Sequence, residues 1–155
     1  MPGSVCWPSC AVETTMQNLN QAASRVLDAL TANLRIGASR HVDNAPGVYM
    51  RVCVERLSEH QYSIAHYYEQ NGDLVCDPDG VFFKAKTGQW LPVSLQLCTG
   101  HFTEAMILNA NDEPAQVRPR AQRELASFAA MWMRNIADQQ GGVARISAAQ
   151  DKIIA

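Results

Sequence analysis

Residues 62–84 read YSIAHYYEQNGDLVCDPDGVFFK, and this stretch decides the fold of the chain. Its first part alternates like a strand and runs into Asn71-Gly72, a dipeptide that favours a type I′ turn because both central positions need a positive φ. The stretch therefore predicts a β-hairpin whose second strand begins at Leu74. Proline removes a ladder donor and Asp-Gly is typical of turns, so residues 77–80 are expected to interrupt that second strand.

Polar and aromatic side chains gather around this predicted hairpin. A cluster of this kind indicates a contact surface for a protein partner, because tyrosine is enriched where proteins bind one another. The predicted partner-binding residues are His66, Tyr67, Tyr68, Glu69, Asp73, Asp77 and Asp79. The cluster is not a complete catalytic signature, and we assign no catalytic residue.

The same carboxylates raise the alternative of an oxygen-rich metal site, since Mg²⁺ and Ca²⁺ prefer oxygen ligands. The spacing does not follow the calcium-loop pattern, although Asp77-x-Asp79-Gly80 matches part of it. A metal-dependent nuclease needs an acidic residue two positions before Lys84, where this chain has Phe82. A solvated, well-capped hairpin end is therefore favoured, and we assign no metal ligand.

The sequence on either side of the hairpin continues the sheet. Alternating apolar and polar residues predict an antiparallel sheet of four to five strands over residues 48–108, arranged as a meander. The first strand covers about Val48 to Leu57, and the fifth, about Phe102 to Leu108, has a helical alternative. Residues 39–47 read as a loop.

Long amphipathic helices are predicted before and after this sheet. Apolar residues recur at steps of three and four within residues 9–37 and within residues 118–140, where Pro119 stands in the favoured first turn. Residues 143–155 form a tail, with a short terminal helix as one option. The chain shows no repeat or linker, so residues 1–155 are expected to form one α+β domain with both helices on one face of the sheet.

The composition indicates a globular protein and argues against several classes of function. Hydrophobic residues make up 47% of the chain, charged residues 18%, and the formal net charge is −2, which argues against a broad phosphate-binding surface. No apolar run approaches the roughly 20 residues that span a bilayer, and the N-terminus lacks a secretory signal, so the cytoplasm is the expected location. No P-loop or G-x-G-x-x-G motif is present, and we assign no cofactor.

The cysteines do not predict a disulfide framework, because their number is odd and the chain is not small. Cys6 and Cys10 form a C-x3-C pair without nearby paired ligands for zinc, and the sequence assigns them no role. Cys53, Cys76 and Cys98 fall within predicted strands. Small buried residues in a reducing compartment are the favoured interpretation, and only the fold can bring a histidine to one of these thiols.

One basic cluster stands at the start of the second long helix. Clustered arginines of this kind can hold phosphates, so they define an alternative, nucleic-acid-binding surface. Its residues are Arg118, Arg120 and Arg123. Glu124 and Asp138 share the helix, which favours a solvated face with ordinary ion pairs.

At SIAHYYEQNGDLVCDPDGVFF, and again at RPRAQRELASFAAMWMRNIADQQ, the chain resembles a family of unknown function. Its members are small proteins of bacterial phages, plasmids and integrative elements, and their recurring core is H-Y-Y-x-Q-N-G-D-L-x-x-D-P. Residues 66–78 match that core, and Asp79 stands where glutamate is frequent. The resemblance covers roughly residues 48–140 and implies no established activity. It implies a mobile-element context, in which small accessory proteins often bind and inhibit host defence machinery.

The expected function is therefore that of a non-enzymatic, protein-binding accessory protein of a mobile genetic element. The expected partner is a host protein complex, and inhibition of a defence complex such as a CRISPR effector is the sharper form of this hypothesis. Nucleic-acid binding or regulation is the first alternative, and a metal-dependent enzyme is the second. A homodimer formed through the sheet face opposite the helices also stays open.

Overall fold

Eight strands and three helices follow one another along the described chain. The computed structural model describes residues 16–42 and 51–154, without the side chains of residues 68–70, 74–77 and 149–154. The strands are β1 (Ser39–Val42), β2 (Arg51–Arg56), β3 (Gln61–Gln70), β4 (Asp73–Lys84), β5 (Trp90–Gln96), β6 (Phe102–Glu104), β7 (Met106–Leu108) and β8 (Pro114–Val117). The helices are α1 (Gln21–Thr31), α2 (Pro119–Gln139) and α3 (Val143–Ile154).

The β3–β4 hairpin lies at the centre of the sheet, and its turn confirms the prediction from the sequence. Asn71 has a φ of 54° and Gly72 a φ of 85°. Gln70 and Asp73 pair directly on either side of the two residues. Positive φ at both central positions is what a type I′ turn requires, and Asn followed by Gly meets that requirement at little steric cost.

The predicted interruption of β4 at residues 77–80 is wrong. The strand runs unbroken through this segment, because a β-bulge accommodates the proline. Ala65 pairs with Asp79 and Tyr67 pairs with Cys76, so a single residue of β3 lies opposite two residues of β4. A bulge leaves one residue out of the ladder, and Pro78, which has no N–H to donate, is tolerated there.

The large sheet is a six-stranded antiparallel meander in the order β1-β2-β3-β4-β5-β6. The α+β class and the meander are confirmed, with more strands than the four to five expected. Residues 39–42 were predicted as loop, but they pair with residues 52–55 of β2 as an edge strand. The rest of that predicted loop, and residues 48–50 of the predicted first strand, lie outside the described residues.

The predicted fifth strand, residues 102–108, is divided between two sheets at Ala105. Its first part is β6, which pairs with β5, and its second part is β7, which pairs with β8 in a separate two-stranded sheet. Ala105 donates its N–H to the Val93 carbonyl at 2.7 Å and accepts the Arg118 N–H at 2.8 Å. The backbone of this fully buried residue therefore connects the large sheet to the start of α2.

The first helix is shorter than the predicted 9–37. Within the described residues α1 begins after Asn20, whose side chain accepts the Ala23 N–H at 2.8 Å as an N-cap. Leu19 cannot join the helix, because its N–H is hydrogen-bonded to the Trp90 carbonyl of β5 at 2.9 Å. Gly37, predicted as the helix stop, instead lies in the turn before β1 with a φ of 81°. Residues 9–15 lie outside the described chain.

All three helices contribute to one core on one face of the large sheet, as predicted for the two long helices. The second helix begins at Pro119, also as predicted, and the tail forms the optional terminal helix as α3. The main core contains, from the helices, Leu27, Leu30, Met133, Ile136 and Ile146, and, from the strands, Val52, Val54, Ile64, Phe82 and Trp90. None of the described helices is both long and apolar enough to cross a lipid bilayer.

The small β7–β8 sheet covers one end of the opposite face. Met106 of β7 is buried against Phe83, Leu91 and Val93, which form a second, smaller core with it. Phe83 pairs directly with Gln61, whose side chain also points away from the helices and donates to Asp112 in the β7–β8 turn at 2.6 Å. The rest of this face, toward the β3–β4 turn, carries the surface described next.

Candidate functional site

The candidate site is the part of the large sheet that faces away from the helices, toward the β3–β4 turn. Directly paired residues share a face of the sheet, so the pairing of neighbouring strands identifies its members. We call this surface the open-face patch. Around the buried Ala65, it consists of the exposed or half-buried residues His41, Arg51, Cys53, Tyr67, Asp79, Gln96 and Phe102.

Charged and aromatic side chains meet across the strands of this patch. Arg51 of β2 is exposed and pairs directly with the half-buried Tyr67 of β3. Gln96 of β5 pairs with Phe102 of β6, whose side chain is 54% exposed. An aromatic ring this exposed on a rigid strand is available to bury area against a partner.

His41 and Cys53 form a contact that the sequence could not reveal. They are directly paired on β1 and β2, and the Cys53 Sγ lies 2.9 Å from the His41 Nδ1. Burial raises the pKa of the Cys53 thiol, and the positive charge of Arg51 opposes this only in part. The thiol is therefore protonated at neutral pH, and the geometry favours a hydrogen-bonded thiol over a thiolate nucleophile.

Asp79 is held in place at the middle of the patch. Its carboxylate accepts a hydrogen bond from the Ser63 hydroxyl at 3.0 Å, and the residue is half-buried. A carboxylate oriented in this way by a neighbouring strand presents its charge in a fixed position, which favours directional contacts with a partner.

The bulge in β4 separates the residues that the sequence grouped as one contact surface. Tyr67 and Asp79 lie on the open face, and Asp73 is exposed beside the turn. His66 lies on the other face, 4% exposed, with its ring 5.7 Å from that of Trp132 on α2. In the folded protein His66 is a core residue and cannot reach a partner. The side chains of Tyr68, Glu69 and Asp77 lie outside the described part.

The metal alternative is not supported by this geometry. His66 and Asp79 lie on opposite faces of the sheet, so these two residues of the hairpin cluster cannot bind one ion. No group of three or more His, Cys, Asp or Glu side chains that could hold a metal ion is found within residues 16–42 and 51–154, apart from the side chains left undescribed there.

The three arginines of the alternative nucleic-acid surface have different surroundings. Arg118 precedes α2 as its N-cap residue. Its backbone N–H donates to the Ala105 carbonyl, and its own carbonyl accepts the N–H of Gln122. Arg120 forms an ion pair with Glu124 at 3.5 Å, with both side chains largely exposed. Arg123 is exposed and lines a groove between α2 and the residues just before α1. The three therefore do not form a single cluster of free guanidinium groups.

The described cysteines differ from the expectation of buried, inert residues. Cys53 is half-buried on the open face, and Cys98 is exposed in the turn after β5. The side chain of Cys76 lies outside the described part, as do Cys6 and Cys10.

Sequence reasoning missed His41 and Phe102 as surface residues. His41 belongs to a segment whose alternation, exposed Ser39 and His41 with buried Arg40 and Val42, spans only four residues. This alternation is too short to predict a strand beside the Asn and Pro residues that follow it, which favour a loop. Phe102 stands at the start of the predicted fifth strand, and its sequence neighbourhood does not indicate which face of the sheet it occupies.

Fold and patch together define a small α+β protein built on a six-stranded antiparallel meander, with helices on one face and a partly open polar and aromatic surface on the other. The chain belongs to the family described as a domain of unknown function, DUF6908, which matches residues 15–142. No curated protein matches the chain. No solved structure matches it either.

Proposed function

We propose that this protein is a non-enzymatic binding module that engages a protein partner through the open-face patch and the end of the β3–β4 hairpin. The observation that carries the proposal is the exposed ring of Phe102, on the same face as the Arg51–Tyr67 pair. Aromatic residues and arginine are the types enriched where proteins bind one another.

The rigidity of the surface supports this proposal. The patch residues stand on hydrogen-bonded strands, and Asp79 is fixed by Ser63. A surface ordered before binding loses little conformational freedom when the partner arrives, so more of the contact energy appears as affinity. The absence of an activated nucleophile among the described patch residues, where Cys53 has a raised pKa, agrees with binding rather than covalent chemistry.

The acidic end of the hairpin suggests which partner surfaces fit. Asp73 is exposed next to the turn, and Asp79 adds a second carboxylate on the open face. Such carboxylates complement an arginine-rich surface that normally holds nucleic acid. We therefore propose an arginine-rich protein surface as the target of the hairpin end.

The narrower form of the proposal is an accessory protein of a mobile genetic element that inhibits a host defence complex, as an anti-CRISPR protein does. What supports it is the resemblance of residues 48–140 to small proteins of phages, plasmids and integrative elements, together with the acidic hairpin end. It is tested by plasmid interference in a host with an active CRISPR system, where expression of the wild-type protein should restore transformation. Unchanged interference would remove this narrower form while leaving the binding module in place.

The experiment for the binding module is affinity purification from the native host with matched variants. Phe102→Asp and Ile36→Asp introduce the same charge at side chains that are 54% and 60% exposed, but only Phe102 lies in the patch. Arg51→Glu and Arg35→Glu form a second matched pair, both exposed, with only Arg51 in the patch.

The proposal expects one partner protein to be recovered in stoichiometric amounts with the wild type and with Ile36→Asp and Arg35→Glu. Phe102→Asp and Arg51→Glu should each reduce its recovery at least about tenfold, as central interface contacts do. Equal recovery with all four variants would contradict the patch assignment. Recovery of nucleic acid without protein, lost on replacing Arg118, Arg120 and Arg123, would establish the nucleic-acid alternative instead.

A further inference from the structure

A groove runs along α2 on the surface of the helix layer, between that helix on one side and α1 with the residues just before it on the other. It consists of two adjoining cavities that share Asn20 and Ala130 in their lining. One cavity has a volume of about 300 Å³ and the other about 220 Å³. Together they extend along α2 from Arg123 to Ala137.

The apolar part of the groove is made mostly of small side chains. Ala22 and Ala23 contribute from α1, and Ala126, Ala130 and Ala137 contribute from one side of α2, with Val26 and Val143 at the smaller cavity. Small side chains on both helices leave a furrow into which a further element can approach the helix backbones closely. The furrow is therefore shaped for an elongated, regular occupant rather than for a single bulky side chain.

Arginines form the walls of the groove. Arg25 stands on α1, and Arg123 and Arg134 stand on α2, all three exposed. None of them forms an ion pair with a carboxylate of the described chain, whereas the neighbouring Arg120 pairs with Glu124. The lining thus holds three positive charges without a counter-charge.

We propose that this groove binds an acidic amphipathic helix of a partner protein. An apolar ridge on that helix fits the alanine floor, in the helix-in-groove mode of recognition. Carboxylates on its flanks pair with the guanidinium groups, which accept a carboxylate in a bidentate arrangement. Arg123 and Arg134 are eleven positions apart on α2, or about 16 Å, so acidic residues three turns apart on the partner helix match them.

The types of residue that line the groove favour a partner helix over nucleic acid. Binding of single strands relies on aromatic rings on which bases stack, and neither cavity has an aromatic side chain among its lining residues. The apolar alanine floor between the arginines has no role in a contact made only with phosphates. Peptide carboxylates flanking an apolar ridge use both the floor and the walls.

This surface is independent of the proposed function, because the groove lies on the helix layer and the open-face patch lies across the sheet from it. The two surfaces can be occupied at the same time. Failure of one proposal therefore leaves the other untouched.

The test is a titration with a designed, stapled helical peptide that carries an alanine and leucine ridge flanked by glutamates, labelled for fluorescence anisotropy. A twin peptide has glutamine in place of every glutamate. The wild-type protein should bind the acidic peptide at least about tenfold more tightly than the twin, and the difference should shrink as salt rises. Arg123→Glu together with Arg134→Glu should weaken acidic-peptide binding at least about tenfold, while Arg120→Glu, outside the groove, should leave it unchanged.

Shape is tested separately from charge. Ala130→Leu keeps every arginine but fills the junction of the two cavities, and it should weaken binding of the acidic peptide at least about tenfold. Circular dichroism on this variant verifies that α2 is intact. If Ala130→Leu does not fold, Ala130→Val provides the smaller step, with the same direction of effect.

Four results of the peptide titrations overturn the proposal. The first two are no binding of the acidic peptide up to about 1 mM wild-type protein and equal binding of the neutral twin. The other two are binding that survives both the arginine and the Ala130 variants, and displacement of the peptide by a single-stranded oligonucleotide of equal charge. A dimer in sedimentation equilibrium that Ala130→Leu dissociates would also overturn it, by making a second copy of the chain the occupant.

Discussion

Asp112 connects two parts of the chain that are more than fifty residues apart. Its carboxylate accepts hydrogen bonds from the Ser58 hydroxyl at 2.6 Å, from the His60 N–H at 2.8 Å and from the Gln61 amide at 2.6 Å. Its own backbone has a φ of 60°, a conformation that Asp and Asn adopt more readily than most residues. This one side chain therefore holds the β7–β8 turn against the β2–β3 turn.

Asp112→Asn should destabilise the protein, and the effect should depend on pH. Burial opposes ionisation of Asp112, but the hydrogen bonds from Ser58, Gln61 and His60 outweigh it and lower the pKa of the carboxyl. A folded-state pKa below the unfolded value means that the stabilisation is present above the unfolded value and is lost as pH falls through the folded one. At pH 7 the free energy of unfolding should drop by about 1–3 kcal/mol. The reason is that the NH2 group of the new asparagine replaces one of the two carboxylate oxygens, which both accept hydrogen bonds from neighbouring donors.

Urea denaturation of both proteins at several pH values measures this effect. The difference between wild type and Asp112→Asn should be largest near neutral pH and should narrow below about pH 4, as the wild-type carboxyl protonates. Asp138→Asn, at an exposed position of α2, serves as the matched control. A difference for Asp112→Asn that is as large at pH 3 as at pH 7 would contradict the assignment.

At the scale of single elements, the sequence predicts those turns and helix starts that depend only on neighbouring residues. The Asn71-Gly72 turn and the start of α2 at Pro119 follow from the backbone preferences of those residues alone, and both are confirmed. The unbroken course of β4 through Pro78 was not predictable in this way, because the bulge opposite His66 arises from pairing with another strand. Tertiary contacts likewise override the helical pattern around Leu19, whose N–H bonds to β5.

The candidate site was predictable only in part for the same reason. Tyr67 and Asp79 were predicted as surface residues from their neighbourhood in the sequence. His66 was assigned to the same surface, but strand alternation places it on the opposite face, under Trp132. The contact of His41 with Cys53 depends on the register between β1 and β2, which cannot be derived from residue types.

The contact between β4 and α2 requires a glycine at position 80. A Cβ built there would lie 3.0 Å from the Trp132 ring and 3.1 Å from the Phe82 ring, both in the main core. Trp132 is 4% exposed and also packs against His66 and Phe128, so it has little room to move. Gly80→Ala should therefore lower the free energy of unfolding by about 1–3 kcal/mol, the usual cost of overpacking a core.

A double-mutant cycle with Trp132→Phe separates this steric cause from others. The atom nearest the added methyl is Cζ3 of the indole, and phenylalanine lacks the second ring to which it belongs. Gly80→Ala should therefore cost less in the Trp132→Phe background than in the wild type, by at least about 0.5 kcal/mol in guanidinium denaturation. Additive effects would show that the clash is not the cause.

At the scale of the whole molecule, the large sheet has packed elements on both faces. The helices pack on one face, and the β7–β8 sheet covers one end of the other. Because Met106 is 1% exposed and connects this small sheet to β4 and β5, the two cores are expected to unfold together.

Met106→Ala should lower the free energy of unfolding by about 2–5 kcal/mol, as other large-to-small core substitutions do. Tryptophan fluorescence, measured in a Trp7→Phe background so that it reports on Trp90 and Trp132 in the main core, and far-ultraviolet circular dichroism should give the same midpoint in guanidinium. Met131→Ala, at a side chain that is 51% exposed on α2, should change stability by no more than about 0.5 kcal/mol. Separate midpoints for the two signals in Met106→Ala would mean that the small sheet unfolds on its own.

The strand order has a consequence for how the protein is made in the cell. Every neighbour in the large sheet is also the next strand in the chain, so the hairpins can form one after another as the ribosome releases them. The apolar side of that nascent sheet is completed by Trp132, Met133 and Ile136 of α2, which are synthesised later. At typical elongation speeds this side stays uncovered for about a few seconds, which is the interval in which a chaperone would have most to protect.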